Sequence, residues 1–146
     1  MGVDKKIRIS IAVVSLIGLL DSLYLSWVEF THREAFCGGY GDCQTVANSP
    51  YSEIAGIPIA ILGMGAYLVI LGLLYIEQRG GFWLEYSPLI IFGISLVGVI
   101  YSIYLTYLEI AVIYAICPYC VLSAVAMLLI FIMSIARLMI NTPSED

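Results

Sequence analysis

Apolar residues in this chain run in long, unbroken stretches; they neither alternate nor recur at the spacing of an amphipathic surface helix. Four stretches, Ile7–Phe30, Ile54–Ile76, Pro88–Val112 and Pro118–Ile140, reach the roughly 20 mostly apolar residues that a helix needs to cross a bilayer. Between them lie a polar loop (Thr31–Glu53), a short charged turn (Glu77–Tyr86) and a very tight turn (Ile113–Cys117). The hydrocarbon offers no water to backbone groups, so spanning segments pair their N–H and C=O groups within helices. No segment alternates apolar and polar residues as the strands of a membrane barrel do. The pattern predicts an all-α integral membrane protein, one four-helix bundle over residues 1–146. The first stretch is too long for the apolar core of a secretory signal, and no small-residue cleavage site follows it. It reads as a retained span.

Composition agrees with this picture. The 146 residues are 62% hydrophobic and 12% charged, with a mean hydropathy of +1.01, which excludes a soluble domain. The net charge of −5 is dispersed over ends and loops without a basic patch, so nucleic acid is not an expected partner. Charge also sets the orientation. Lys5, Lys6, Arg8, Arg79 and Arg137 fall at ends that share one side of the bundle, and Arg33 falls on the other. This bias places both termini in the cytoplasm of a plasma-membrane protein. The loop 31–53 and the turn between the third and fourth helices then face outward. All four cysteines, Cys37, Cys43, Cys117 and Cys120, accordingly lie where disulfides form and persist.

The first and third helices carry a repeat. Ser22-Leu-Tyr-Leu-Ser-Trp-Val-Glu-Phe30 aligns without gaps on Ser102-Ile-Tyr-Leu-Thr-Tyr-Leu-Glu-Ile110, at an offset of 102 − 22 = 80 residues. The same register sets Cys37 opposite Cys117, each eight residues after a glutamate. Duplication of a two-helix unit would bring the first cysteine of each half to a common depth at the outer surface.

Cys117-Pro-Tyr-Cys120 opens the fourth helix and puts two sulfurs one turn apart. Pro118 suits a first helical position, where its missing N–H costs nothing. Cys117 then sits at the cap, where free N–H groups and the helix dipole stabilise a thiolate, the nucleophile of disulfide exchange. A purely structural bridge over so short a loop would contribute little. Cys37 and Cys43 enclose Gly-Gly-Tyr-Gly-Asp, a composition that favours a mobile shuttle over a rigid staple. Competing readings are a loop staple, a non-enzymatic membrane subunit with structural disulfides, and a four-thiolate metal site. Asp21, Glu29 and Glu109 border or enter the spans and are functional suspects by position. Glu29 and Glu109 read mainly as interface residues reaching water, with proton delivery as the alternative. Asp21 lies deeper, with a packing or proton role. Tyr24 and Tyr104 hold equivalent repeat positions, and Trp83 reads as a membrane-surface anchor.

Together these residues resemble the vitamin K epoxide reductase family of membrane thiol oxidoreductases. The matching features are Ser22-Leu-Tyr, the pair Cys37 and Cys43, Ser49 six residues after Cys43, Gly63, and Cys117-Pro-Tyr-Cys120. The order of the pairs is opposite to that in quinone oxidoreductases of the DsbB type. The resemblance implies a bundle around a lipid quinone of menaquinone or ubiquinone type. It implies that Cys37 and Cys43 take electrons from a separate thioredoxin-like protein in a DsbA-like role. Cys43 then exchanges with Cys117, Cys120 faces the quinone, and Ser49 supports the site. Two positions depart from the animal members: Ile59 stands where they carry a quinone-site Asn, and Ala124 where they carry a Tyr. The polar clasp on the quinone is therefore expected to be missing at those positions, which weakens the case for epoxide reduction.

Overall fold

A computed structural model describes residues 2–31, 45, 49–50 and 53–141. Helix α1 spans Gly2–Thr31, about 45 Å at 1.5 Å per residue, against a hydrocarbon core of about 30 Å. It starts before the expected Ile7 because its polar first turns, with Asp4, Lys5 and Lys6, continue the helix beyond the apolar run. Ahead of the second span stands a hairpin that hydropathy did not reveal. Strands β1 (Glu53–Ile54) and β2 (Ile57–Pro58) pair Glu53 with Pro58 and Ile54 with Ile57. Ala55 and Gly56 close it with φ of 53° and 82°, the positive-φ geometry whose twist matches two antiparallel strands. Helix α2 therefore begins at Ile59 and not at Ile54, and runs to Glu77.

Gly80 and Gly81, at φ of 77° and 76°, make the turn into helix α3, Phe82–Leu108. The expected start at Pro88 is displaced by six residues. Phe82, Trp83 and Tyr86 wind the first turn as an aromatic cluster, with the Phe82 and Tyr86 rings stacked at 4.2 Å. Pro88 thus lies inside the helix and forfeits one bond in its early turns. The helix passes into a π-helical turn, Glu109–Ile113, and Tyr114 reverses the chain at φ 57° and ψ 31°. Helix α4 spans Pro118–Asn141. All four helical segments are long and apolar enough to cross a membrane.

The helices pack in a ring: α1 against α2 and α4, and α3 against α4 and, more sparsely, α2. Ile11, Tyr67, Ile70, Ile91 and Ile130 centre the core. Lipid tails are as apolar as leucine, so close approach, more than hydrophobicity, holds such helices together. Helix α1 accordingly buries Ser15, Gly18, Ser22 and Ser26 on one stripe. A Cβ on Gly18 would overlap the Tyr67 ring, and one on Gly63 would meet Ser22 Oγ at 3.2 Å. Asp4 and Arg8 of α1, Glu77 of α2 and Arg137 of α4 meet at one end of the bundle. Arg137 donates to Asp4 Oδ1 at 2.9 Å and through both terminal nitrogens to Glu77, while Arg8 lies 3.5 Å from Glu77. Glu77 and Arg137 are fully buried. That end carries the start of α1 and the end of α4; the Cys117–Cys120 segment is at the other.

Candidate functional site

At the head of α4, Val121 N–H donates to the Cys117 carbonyl at 3.1 Å, which makes Cys117 the N-cap and Pro118 the first helical residue. Cys117 is 2% exposed, and Cys120, one turn in, is half-buried. The Cys120 thiol hydrogen-bonds the Cys117 sulfur, and the N–H groups of Cys120 and Tyr119 add to it. These donors hold the Cys117 thiol below its ordinary range, the Cys120 thiol foremost, against the opposing effects of burial and of the Glu109 charge. The N-cap position thus supplies the thiolate-stabilising groups that the Cys-Pro-Tyr-Cys spacing predicts.

Glu109 departs from its expected place at the water interface: it is 4% exposed. A π turn carries one more residue than an α turn and so shifts the phase of every side chain it contains. Ala115 N–H closes the turn on the Glu109 carbonyl at 3.0 Å. The reversal at Tyr114 then brings Cys117 back over Glu109, whose Oε2 accepts the Cys117 N–H at 3.4 Å. The same carboxylate is a second acceptor within reach of the Cys120 thiol, whose single proton can go to it or to the Cys117 sulfur. Its repeat counterpart, Glu29, is only half-buried, so the two halves are not equivalent at this position. Tyr24 and Tyr104, the paired tyrosines, are both exposed, with Tyr24 against Tyr119 at 5.1 Å and Tyr104 beside Tyr101 at 6.1 Å.

One turn beyond Cys120, Ser123 meets Tyr67 of α2. The Tyr67 hydroxyl lies 3.0 Å from Ser123 Oγ and 3.1 Å from its carbonyl oxygen. Asp21 of α1 is 7% exposed, with neither carboxylate oxygen hydrogen-bonded among the described residues. It stands within electrostatic reach of Cys120, Tyr67 and Tyr119. Tyr67, Ser123 and Asp21 are thus polar groups inside the bundle on the Cys120 side. The two positions expected to lack a polar clasp, Ile59 at the start of α2 and Ala124 next to Ser123, are apolar and half-buried. Tyr67 and Ser123 belong to no motif or cysteine spacing, and their one signal in the sequence is a tyrosine in the middle of an apolar span. Ser49 is half-buried at a bend before β1. Cys37 and Cys43, the expected shuttle pair, lie outside the described residues.

The arrangement is a dithiol at a helix N-terminus with one acidic side chain in contact and a buried polar group a turn below. A model of the vitamin K epoxide reductase family matches residues 9–135 of the chain. The thiol-disulfide oxidoreductase LTO1 of Arabidopsis thaliana is 31% identical over 123 residues, covering 80% of this chain and 33% of that protein. The chain therefore spans about a third of the length of that relative.

Proposed function

The chain belongs to the vitamin K epoxide reductase family, and from that premise we propose that it is a membrane thiol:quinone oxidoreductase that drives disulfide formation outside the cytoplasm. Family membership makes it a multi-pass membrane protein of thiol-based redox chemistry. The observation that carries the finer reading is the hydrogen-bonded pair of Cys117 and Cys120 at the head of α4, where the cap groups favour a Cys117 thiolate. In this reading Cys37 and Cys43 take two electrons from a thioredoxin-like partner through a mixed disulfide. Cys43 then attacks Cys117, the Cys117–Cys120 bond breaks, Cys120 leaves as the thiolate that faces the quinone, and Cys37 closes on Cys43 to release Cys117.

A lipid quinone of menaquinone or ubiquinone type, when bound, supplies an acceptor for two electrons and two protons. The residues beside Cys120 fit such a molecule: Asp21 offers carboxyl oxygens without hydrogen-bond partners among the described residues, and the Tyr67–Ser123 pair offers hydroxyls. Ile59 and Ala124 would line its apolar side and Ser49 would support the site from the outer segment. Direction follows from redox poise, since 30 mV is about 1.4 kcal/mol for a two-electron couple.

The test is the ultraviolet absorbance of a quinone mixed with purified protein and a small dithiol, beside the same assay on Cys120→Ala. Reduction by the native chain and none by the variant is the expected result. Equal activity in both would remove Cys120 from the electron exit, and inactivity of the native chain on menaquinone and ubiquinone analogues alike would end the quinone reading.

A further inference from the structure

Oxidising a dithiol to a disulfide releases two electrons and two protons, and the sulfurs alone account for the electrons. The Cys117 proton presents no difficulty, since the cap N–H groups and the Cys120 thiol favour its thiolate. The Cys120 proton is different, because Cys120 is the donor within the pair and sits inside the head of α4. A nearby acceptor is required, and Glu109, buried with its Oε2 on the Cys117 N–H at 3.4 Å, is the carboxylate within reach of the Cys120 thiol.

An ionisable group buried at the end of a membrane span is costly to keep. A purely structural task, accepting the Cys117 N–H at 3.4 Å, would be served as well by an uncharged amide. We infer that Glu109 is the catalytic base of the dithiol: its carboxylate takes the Cys120 thiol proton as the Cys117–Cys120 disulfide forms, and returns a proton to Cys120 when that disulfide is opened. The inference rests on the redox role proposed for this pair.

The steps balance. Cys120–SH and the Glu109 carboxylate give a Cys120 thiolate and the Glu109 carboxylic acid. The two sulfurs then join, S–S forms, and the electron pair leaves to the oxidant. Glu109 releases its proton afterwards, so it is unchanged over a cycle. Once the disulfide exists, neither sulfur can hold a proton, and Glu109 is the group in contact that still can. The π turn matters because it aims this side chain inward. The other titratable groups acting on the cluster are Asp21 from α1, which reaches Cys120, and Tyr119, which reaches Cys117; Tyr67 of α2 faces Asp21.

The test needs no quinone. In a background with Cys37 and Cys43 replaced by serine, the reduced full-length protein is mixed with 4,4′-dithiodipyridine. Release of thiopyridone is followed by absorbance. Two equivalents leave per pair, one when the first sulfur meets the reagent and one when the second closes the disulfide. The phase missing from Cys120→Ser identifies the Cys120 step. In Glu109→Gln, which retains an acceptor for the Cys117 N–H, that phase should slow at least about 10-fold, given the 10²–10⁴ typical of general acid–base catalysis. Its rise with pH should lose the limb that reports carboxylate ionisation, while the Tm stays at the native value. Glu109→Asp should recover part of the rate.

A native-like Cys120 phase in Glu109→Gln would overturn the inference. So would a defect seen only in Glu109→Ala together with a lowered Tm, which would mark Glu109 as a structural acceptor. Quinone reduction by the native chain is scored separately. If that fails while the Cys120 phase still depends on Glu109, the quinone reading falls and the assignment of the base stands.

Discussion

Among single residues, Cys117 carries the sharpest pH expectation. Its thiol is held below the ordinary value of about 8.5, first by the Cys120 thiol hydrogen bond and then by the cap N–H groups. The thiolate therefore persists as pH falls below that value, and is lost only on passing the lowered one. Alkylation of reduced Cys117, resolved by peptide mass spectrometry across a pH series, should have its midpoint below that of an ordinary cysteine. Cys120→Ala removes the foremost donor and should move the midpoint upward. A midpoint unmoved by that substitution would assign the effect to the helix terminus alone. The spacing of Cys117 and Cys120 made this pair legible in the sequence. Glu109 was not legible as their neighbour, because hydropathy counts a residue's depth along a helix and cannot register a phase change introduced by one π turn.

Elements are joined here by close approach and by buried charge. Tyr67 reaches from α2 across the face of Gly18 to Ser123 of α4, so a single side chain ties three helices. Gly18→Ala would drive its methyl into the ring. It should cost about 1–3 kcal/mol from overpacking and further about 1 kcal/mol if the Tyr67 hydrogen bond is lost, read as a lowered Tm in detergent. Gly93→Ala, with open space around it, is the control and should leave the Tm at or slightly above the native value. Four helices were readable from four apolar runs because a bilayer admits few other solutions. Their ends were not. The hairpin 53–58 is too short to show an alternating pattern, and Phe82, Trp83 and Tyr86 are helical residues in a stretch where the apolar run is interrupted by Glu85. The pairing of Asp4 with Arg137, 133 positions apart, is a product of the ring of helices and has no local signal. The order of four spans sets Arg137 at the same end as Arg8, yet its burial against Glu77 emerged only from the packing.

At the scale of the whole molecule, the two ends of the bundle differ in kind. One is closed by Asp4, Arg8, Glu77 and Arg137, in which the Glu77–Arg137 pair is buried and Asp4 and Arg8 flank it, partly exposed. Such a cluster is expensive to open, since stranding one partner of a buried pair costs about 3–5 kcal/mol. The other end holds Cys117, Cys120 and Glu109 together. Among the described residues, every group given a part in moving electrons or protons, Asp21 included, belongs to that half. On the function proposed above, charge is taken up and given back through the same face. The enzyme should work as an electrically silent device, neither driven by a voltage across the membrane nor able to build one. In sealed vesicles containing the protein, a potassium diffusion potential of either sign set by valinomycin should leave the rate of quinone reduction unchanged, and turnover should produce no response from a potential-sensitive dye. A rate that followed the sign of the potential would mean that a proton crosses the charged seal, and that the far end is a passage and not a plug.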